Sequence, residues 1–503
     1  MITLLILLAA FGILAWGFYR AKPYGKLGIF AWLQSVVLMA PWLLFFGLFA
    51  AGIYLNLAGV LLMVILSTGL YIYLGRRLRV LGKDELTTQR AAALANQHSG
   101  ETAAAENTNT AIGDTAGELS PQPDATDPEL IPIPPDDLIA AEGIFGIDTF
   151  FRTETIPYQQ GAIFKGNLRG DPQETQIKLT QLLEDRLAER YRLFLIEGPE
   201  NRPVVVVLPS SNDPQPTTTA QKILAVVMGI ATLATSLEAS GILMGFDFLE
   251  QPQRLAEVLP VALGIWAVLI AHEIGHWVKA QQYKIKLSPP FFLPTWQIGS
   301  FGGLTRFESL MPNRTVLFDV SFAGPAAGGG LSLVMLLLGL VLSHPGSYFQ
   351  LPTEFFQGSV LVGSLARVVL GSALQEAIVD VHPLMVIGWL GLVITAINLM
   401  PAGQLDGGRV VQAIYGRKIA GRATVVTIIV LAIASLVNPL ALYWAVLILF
   451  LQRNLERPGL NELTEPDDAR AALALLALFL MLVTLLPLTP SLAGRLGIGA
   501  VAM

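Results

Sequence analysis

Ala271-His272-Glu273-Ile274-Gly275-His276 lies inside an apolar run over about 258–280, and its reading decides the fold. The pattern is His-Glu-x-x-His. Residues four apart share one face of a helix, so His272 and His276 can close on a single metal ion. Glu273, next to the first ligand, can take a proton from a water that the metal activates. Two imidazoles and one carboxylate suit Zn²⁺ and leave a coordination position open. The apolar run is long enough to cross a bilayer. Ionisable side chains in such a helix are costly and mark function. The plain alternative is a helix with three satisfied polar residues facing a bundle interior.

The composition extends this to the whole chain. Of 503 residues, 53% are hydrophobic and only 14% charged, against about a quarter charged in soluble domains. The mean hydropathy is +0.58. This describes a polytopic α-helical membrane protein with a soluble part. The net charge of −6 shows no general basic surface for nucleic acid. Cysteine is absent, so zinc ligands must come from histidine and carboxylates. Of five histidines, His98 sits in a polar tract, while His344 and His382 flank a loop and are alternative third ligands.

Working outward toward the amino end, 223–245 is a span running out of the cytoplasm and 260–280 returns, with Lys279, Lys284 and Lys286 as its cytoplasmic flank. Residues 136–209 read as a small cytoplasmic α/β domain, joined to the membrane half by a polar linker, 210–221. Helical spacing covers 172–190, a short helix covers 136–144, and strands are expected at 161–164, 192–196 and 203–208. Gly166-Asn167-Leu168-Arg169 reads as an ordinary turn with a solvated arginine. Residues 87–135 lack large apolar side chains and read as a disordered linker. Residues 1–86 read as amino-terminal membrane helices. The apolar segment 2–18 is followed, not preceded, by Arg20, Lys22 and Lys26, which argues against a signal peptide. A block over 29–74 is long enough to span twice, turning near 52–57.

Toward the carboxyl end, 287–304 mixes Pro289, Pro290, Pro294, Gly299, Gly302 and Gly303 with aromatics. It is too broken for a helix and too apolar for a soluble loop. Either a re-entrant loop or hairpin beside the metal, offering a strand edge to an unwound substrate, or an interfacial loop fits. Residues 316–343 run outward, and the small residues 323–330 let a neighbouring helix approach closely. Residues 360–374, with a lone Arg367, read as interfacial rather than spanning. Residues 383–400 span inward and end in Asn398-Leu399-Met400-Pro401-Ala402-Gly403-Gln404-Leu405-Asp406-Gly407-Gly408. Pro401 and Gly403 stop that helix. Asp406 is then held at the same side and depth as the two histidines and is the expected third ligand. A span over 360–374 would put it on the wrong face; a solvated helix cap is the alternative reading. Asn398 is placed to hydrogen-bond a ligand or the substrate backbone. Arg409, Arg417, Lys418 and Arg422 mark the cytoplasm again. A pair over 424–436 and 440–451 and a span over 471–486 complete about ten membrane segments. The core domain is 222–490, with a tail at 491–503.

Taken together, His272-Glu273-x-x-His276 in a membrane helix and Asn398-x-x-Pro401 followed by Asp406-Gly407 resemble the site-2 protease family of intramembrane zinc metalloproteases. Phe164-Lys165-Gly166-Asn167-Leu168-Arg169 resembles its ethylene-dependent gravitropism-deficient and yellow-green branch, which carries a soluble domain before the core. The resemblance covers roughly 136–487. It implies that His272, His276 and Asp406 bind zinc, that Glu273 activates water, and that Asn398, Pro401 and Gly407 support the site. It also implies a transmembrane protein as substrate and the lipid bilayer as setting. Membrane helices in place of a transit peptide favour a cyanobacterial source, hence a bacterial inner or thylakoid membrane, with the site toward the cytoplasm. The competing readings are a non-proteolytic scaffold or chaperone that retains a zinc site, and a transporter with broken helices. The intact Glu273 counts against both.

Overall fold

The computed structural model describes residue 14, 17–50, scattered positions between 63 and 78, and 133–499 apart from 159, 199–201, 437 and 450–453. Residues 87–132 of the linker expected over 87–135, the expected turn near 52–57 and most of the helix expected at 2–18 lie outside the described residues, while Ile133 is buried in the α/β core and Pro135 already begins a helix. The chain divides into two compact units: Met1–Thr126 with Ala432–Leu440, and Asp127–Leu431 with Ala441–Met503. In the first, helix α1 (Gly25–Ala50) contains Pro41. Trp32 Nε1 donates to Leu14 O at 2.9 Å.

The second unit begins with an α/β layer. Its elements are α2 (Pro135–Glu142), β1 (Phe150–Tyr158), β2 (Gly161–Leu168), α3 (Pro172–Leu187), β3 (Tyr191–Glu197) and β4 (Pro203–Pro209). Pro172 opens α3, and the Asp171 side chain caps it by accepting from Gln173 N and Glu174 N. The sheet is antiparallel throughout, in the order β1-β2-β4-β3. Alternate residues of β2, β3 and β4 (Phe164, Leu193, Leu195, Val205 and Val207) form its core with Leu179 and Leu183 of α3. The opposite face carries Phe194, Val204 and Val206, against which Leu310 and Leu460 pack.

Two expectations for this layer need correcting. Strand β1 was not expected. Its partner β2 continues through Gly166, Asn167 and Leu168, which pair with Arg152, Phe151 and Phe150. Gly166, Asn167 and Leu168 of that stretch are therefore strand rather than turn, and Arg169 lies just beyond it. Glycine and asparagine read as turn residues locally, and only the pairing with β1 overrides that preference. A Cβ on Gly166 would run into the Phe150 ring and Phe151 O.

The membrane half contains α4 (Thr219–Leu243), α5 (Leu255–Gln282), β5 (Phe291–Thr295), β6 (Gly299–Leu304) and α6 (Arg314–Leu342). It continues with β7 (Phe349–Pro352), α7 (Val360–Leu370), β8 (Ile378–Val381) and α8 (Pro383–Asn398). The last helices are α9 (Asp406–Ala434), α10 (Pro439–Leu447), α11 (Asp468–Leu485) and α12 (Pro490–Leu496). Among the described residues, α4, α5, α6 and α11 are the four helices long and apolar enough to cross a membrane. The Thr218 side chain and Gln221 form a capping box that starts α4. At 16 residues, α8 is shorter than the expected span over 383–400. The 11-residue α7 extends about 16 Å, well short of the roughly 30 Å hydrocarbon core. The broken stretch after α5 is the hairpin β5–β6, packed against α4. Helix α6 is central and packs against both α5 and α8.

Candidate metal centre

His272 and His276 lie one turn apart on α5 and are each 5% exposed. Close approach of α6 makes room for them. A Cβ on Gly275 would meet the Ala323 backbone, one on Gly324 would fall on the His276 ring, and one on Gly328 would meet His272. The small-residue stripe therefore lies against the motif helix, as its composition predicts, and Pro325 continues within α6.

Asp406 reaches the same point from 134 residues away. Helix α8 ends at Asn398, the chain turns through Pro401 and Gly403, and α9 begins at Asp406. Gly403 has φ +49°, and its N–H is held by Thr424 Oγ1 at 2.8 Å. Pro401 O accepts from Thr427 Oγ1. Gly407 faces Leu399 O so closely that no side chain would fit. Asp406 is only 7% exposed, which rules out the reading as a solvated cap.

The three side chains form one compact donor set. His272 Nε2 lies 3.1 Å from His276 Nε2 and 3.0 Å from Asp406 Oδ2, and His276 Nε2 lies 3.3 Å from the same oxygen. Ligands about 2.05 Å from a tetrahedral Zn²⁺ sit about 3.3 Å apart, so the spacing suits that ion. His276 Nδ1 donates to Val320 O at 2.8 Å, leaving the Nε2 lone pair turned into the cluster. A buried carboxylate and two imidazole lone pairs converging on one point need a cation to offset their desolvation. Among the described residues this is the group that could hold a metal. His344 is exposed beside Pro345 O. His382 caps the far end of α8, about 24 Å from Asn398 by helix rise. Neither joins the cluster, and His98 lies outside the described residues.

Glu273 stands beside the cluster, and its Oε2 accepts from Thr305 Oγ1 at 2.8 Å. Thr305 immediately follows β6, and Gly303 of β6 lies against Glu273 Oε1. The Asn398 side chain donates to Phe301 O at 3.0 Å and to Ile394 O at 2.9 Å. It thus ties the hairpin to the end of α8. Gly302, at φ +103°, faces the Asn398 amide where a Cβ would collide. An open groove of about 670 Å³, lined by Trp266, Ile270, Ile274, Pro290 and Phe292 among others, reaches Glu273.

Thr305, Val320 and Arg409 escape a reading from sequence. Val320 contributes only its carbonyl, which leaves no side-chain signature. Thr305 acquires its role from the turn of the hairpin. Arg409 reads only as one of several cytoplasmic markers; it is 4% exposed and paired with Glu456.

Comparison with known proteins agrees with this geometry. Residues 260–437 match the model of peptidase family M50, and 139–216 match that of the EGY3 middle domain. The protein named "Probable zinc metalloprotease EGY2, chloroplastic" from Arabidopsis thaliana is 41% identical over 355 residues, which cover 68% of this chain and 63% of the relative. The chain therefore spans under two thirds of that protein's length. "Probable zinc metalloprotease EGY1, chloroplastic" from the same plant is 36% identical over 406 residues, covering 73% of this chain and 74% of the relative. "Probable zinc metallopeptidase EGY3, chloroplastic" is 31% identical over 377 residues, covering 70% and 65%. These relatives are chloroplastic plant proteins and lend no support to a cyanobacterial source. No solved structure matches the chain.

Proposed function

The chain belongs to peptidase family M50 and is similar throughout its core to EGY zinc metalloproteases, and from that premise we propose that it is an intramembrane zinc metalloprotease. It hydrolyses peptide bonds within or near transmembrane segments of other membrane proteins. The observation that carries this reading is the buried His272, His276 and Asp406 set with Glu273 hydrogen-bonded beside it.

Zn²⁺, when bound, supplies the Lewis acid that polarises the scissile carbonyl and makes water acidic. His272, His276 and Asp406 would hold it. Glu273 takes the proton of the attacking water and passes it to the leaving amine. Thr305 orients the Glu273 carboxylate for both transfers. The hairpin, tied by Asn398, offers a strand edge to a substrate segment that has unwound locally, since a helical peptide bond is shielded by its own hydrogen bonds. The support for an apolar substrate is the groove that opens beside Glu273.

The same reading places the protein in a lipid bilayer as a multi-pass chain of about ten segments, with the α/β layer and the site toward the cytoplasm. The basic flanks of the apolar segments support that orientation. A bacterial inner or thylakoid membrane is the proposed location. The deciding measurement compares purified parent and Glu273→Gln in detergent for zinc content and for cleavage of a generic transmembrane substrate. We expect zinc in both and cleavage by the parent alone. Zinc without cleavage in either would turn the reading toward a scaffold. A folded parent without zinc would end the metal assignment.

A further inference from the structure

Arg409 follows Asp406 by one turn of α9. Its Nη1 lies 4.0 Å from Asp406 Oδ1, while the other oxygen, Oδ2, faces the two imidazoles. Its Nε donates to Glu456 Oε2 at 2.9 Å, and Nη2 lies 2.9 Å from the same oxygen as an ion pair. The guanidinium stacks 4.4 Å from the Phe307 ring centroid, two residues beyond Thr305. Glu456 is itself anchored: its carbonyl accepts from Gln412 Nε2 at 3.2 Å and from Arg417 Nη1. From Glu456 the chain runs on to form an isolated parallel β-bridge between Asn461 and Leu195 at the edge of β3. There Leu195 N donates to Leu460 O, and Glu462 N donates to Leu195 O.

A guanidinium presents several donors in a rigid fork, so one arginine can hold two acceptors at once. Here Glu456 neutralises the buried charge and fixes the plane, leaving Nη1 at ion-pair distance from Asp406 Oδ1, where its charge rather than a direct hydrogen bond acts on the carboxylate. A carboxylate ligand bound through one oxygen rotates unless something holds the other. Groups that orient a ligand in this way change metal affinity by about 10–100-fold.

We infer that Arg409, fixed by Glu456, is the positioning residue for Asp406, holding Oδ1 so that Oδ2 stays turned to His272 and His276. This rests on the reading of the three side chains as a zinc site. It also makes one residue, Glu456, common to the orientation of the metal ligand and to the segment that docks the α/β layer.

The test uses the full chain in detergent. Zinc affinity is measured by competition with a chelating dye, and the melting of the chelator-treated protein is followed separately. Arg409→Lys keeps the charge but not the fork, and we expect zinc to bind about tenfold more weakly. The double variant Arg409→Met with Glu456→Gln removes both charges and strands neither. We expect about 10–100-fold weaker zinc with an unchanged melting temperature of the chelated protein. A merely structural pair would leave zinc affinity at the parental value in that folded double variant, and this result overturns the inference. Should the double variant fail to fold, Arg409→Lys decides, and parental affinity there overturns it equally. Absence of zinc from the parent is a different result, one that removes the metal-site reading first.

Discussion

At the residue scale, three groups hold the site in register and each gives a separate test. Thr305 bonds Glu273 at 2.8 Å. Thr305→Val should lower kcat about 10–150-fold, corresponding to about 1.5–3 kcal/mol for a hydrogen bond to a charged group. KM and zinc content should stay at the parental values in steady-state cleavage assays; an unchanged kcat would mean that Glu273 needs no such support. Gly324 lies where any Cβ would fall on the His276 ring. Gly324→Ala should displace His276 and cut zinc stoichiometry on the purified protein, at an overpacking cost of about 1–3 kcal/mol. Full zinc loading in that variant would refute the close packing of α6 on α5. The motif histidines and Glu273 are legible from their spacing alone, because helical periodicity is local. Thr305 and Val320 are not, because each acts across a tertiary contact.

At the element scale, the hairpin and β2 show where local signals mislead. The proline and glycine content of 287–304 correctly announces broken backbone, and β5–β6 is the form it takes. Asn398 holds that hairpin through Phe301 O. Asn398→Ala should raise amide hydrogen exchange over 299–304 while that of α6 stays unchanged; equal protection of the hairpin would show that packing alone secures it. In the α/β layer, Gly166-Asn167-Leu168 has the composition of a turn and the hydrogen bonding of a strand. Gly166 is required there because Phe150 and Phe151 O occupy the space of a side chain. Gly166→Ala should therefore lower the melting temperature of the layer, at a cost of about 1–3 kcal/mol. Asn167 and Arg169 are exposed and need not affect it.

At the scale of the whole molecule, the α/β layer joins the membrane half through the edge of β3 and the segment beyond Glu456, within one compact unit. Its own integrity is pH-dependent. Burial alone would raise the Asp137 carboxyl, but hydrogen bonds from Arg190 and Tyr191 outweigh it and hold the group below its ordinary value. Burial, then the hydrogen bond to Asp137, pushes the Tyr191 hydroxyl up to about 12. The depressed Asp137 contributes stability above the usual carboxylate value of about 3.9, and that stability is lost as pH falls through the folded value. The raised Tyr191 contributes below about 10, and its share is lost as pH rises toward about 12. The melting temperature of the layer should decline at both ends, and Asp137→Asn should flatten the acid limb. An unchanged acid limb would show that other carboxylates govern it. What the sequence by itself determined are the features with short periods: the apolar helices, the pairing of His272 with His276, and the helix stop before Asp406. The expected third ligand, Asp406, lies beside both imidazoles. Tertiary structure alone decided which oxygen of Asp406 faces the imidazoles, why Arg409 is buried, and that Gly166 belongs to a strand. Each of those depends on a partner more than ten residues away in the chain, and no local preference encodes the geometry of such a contact.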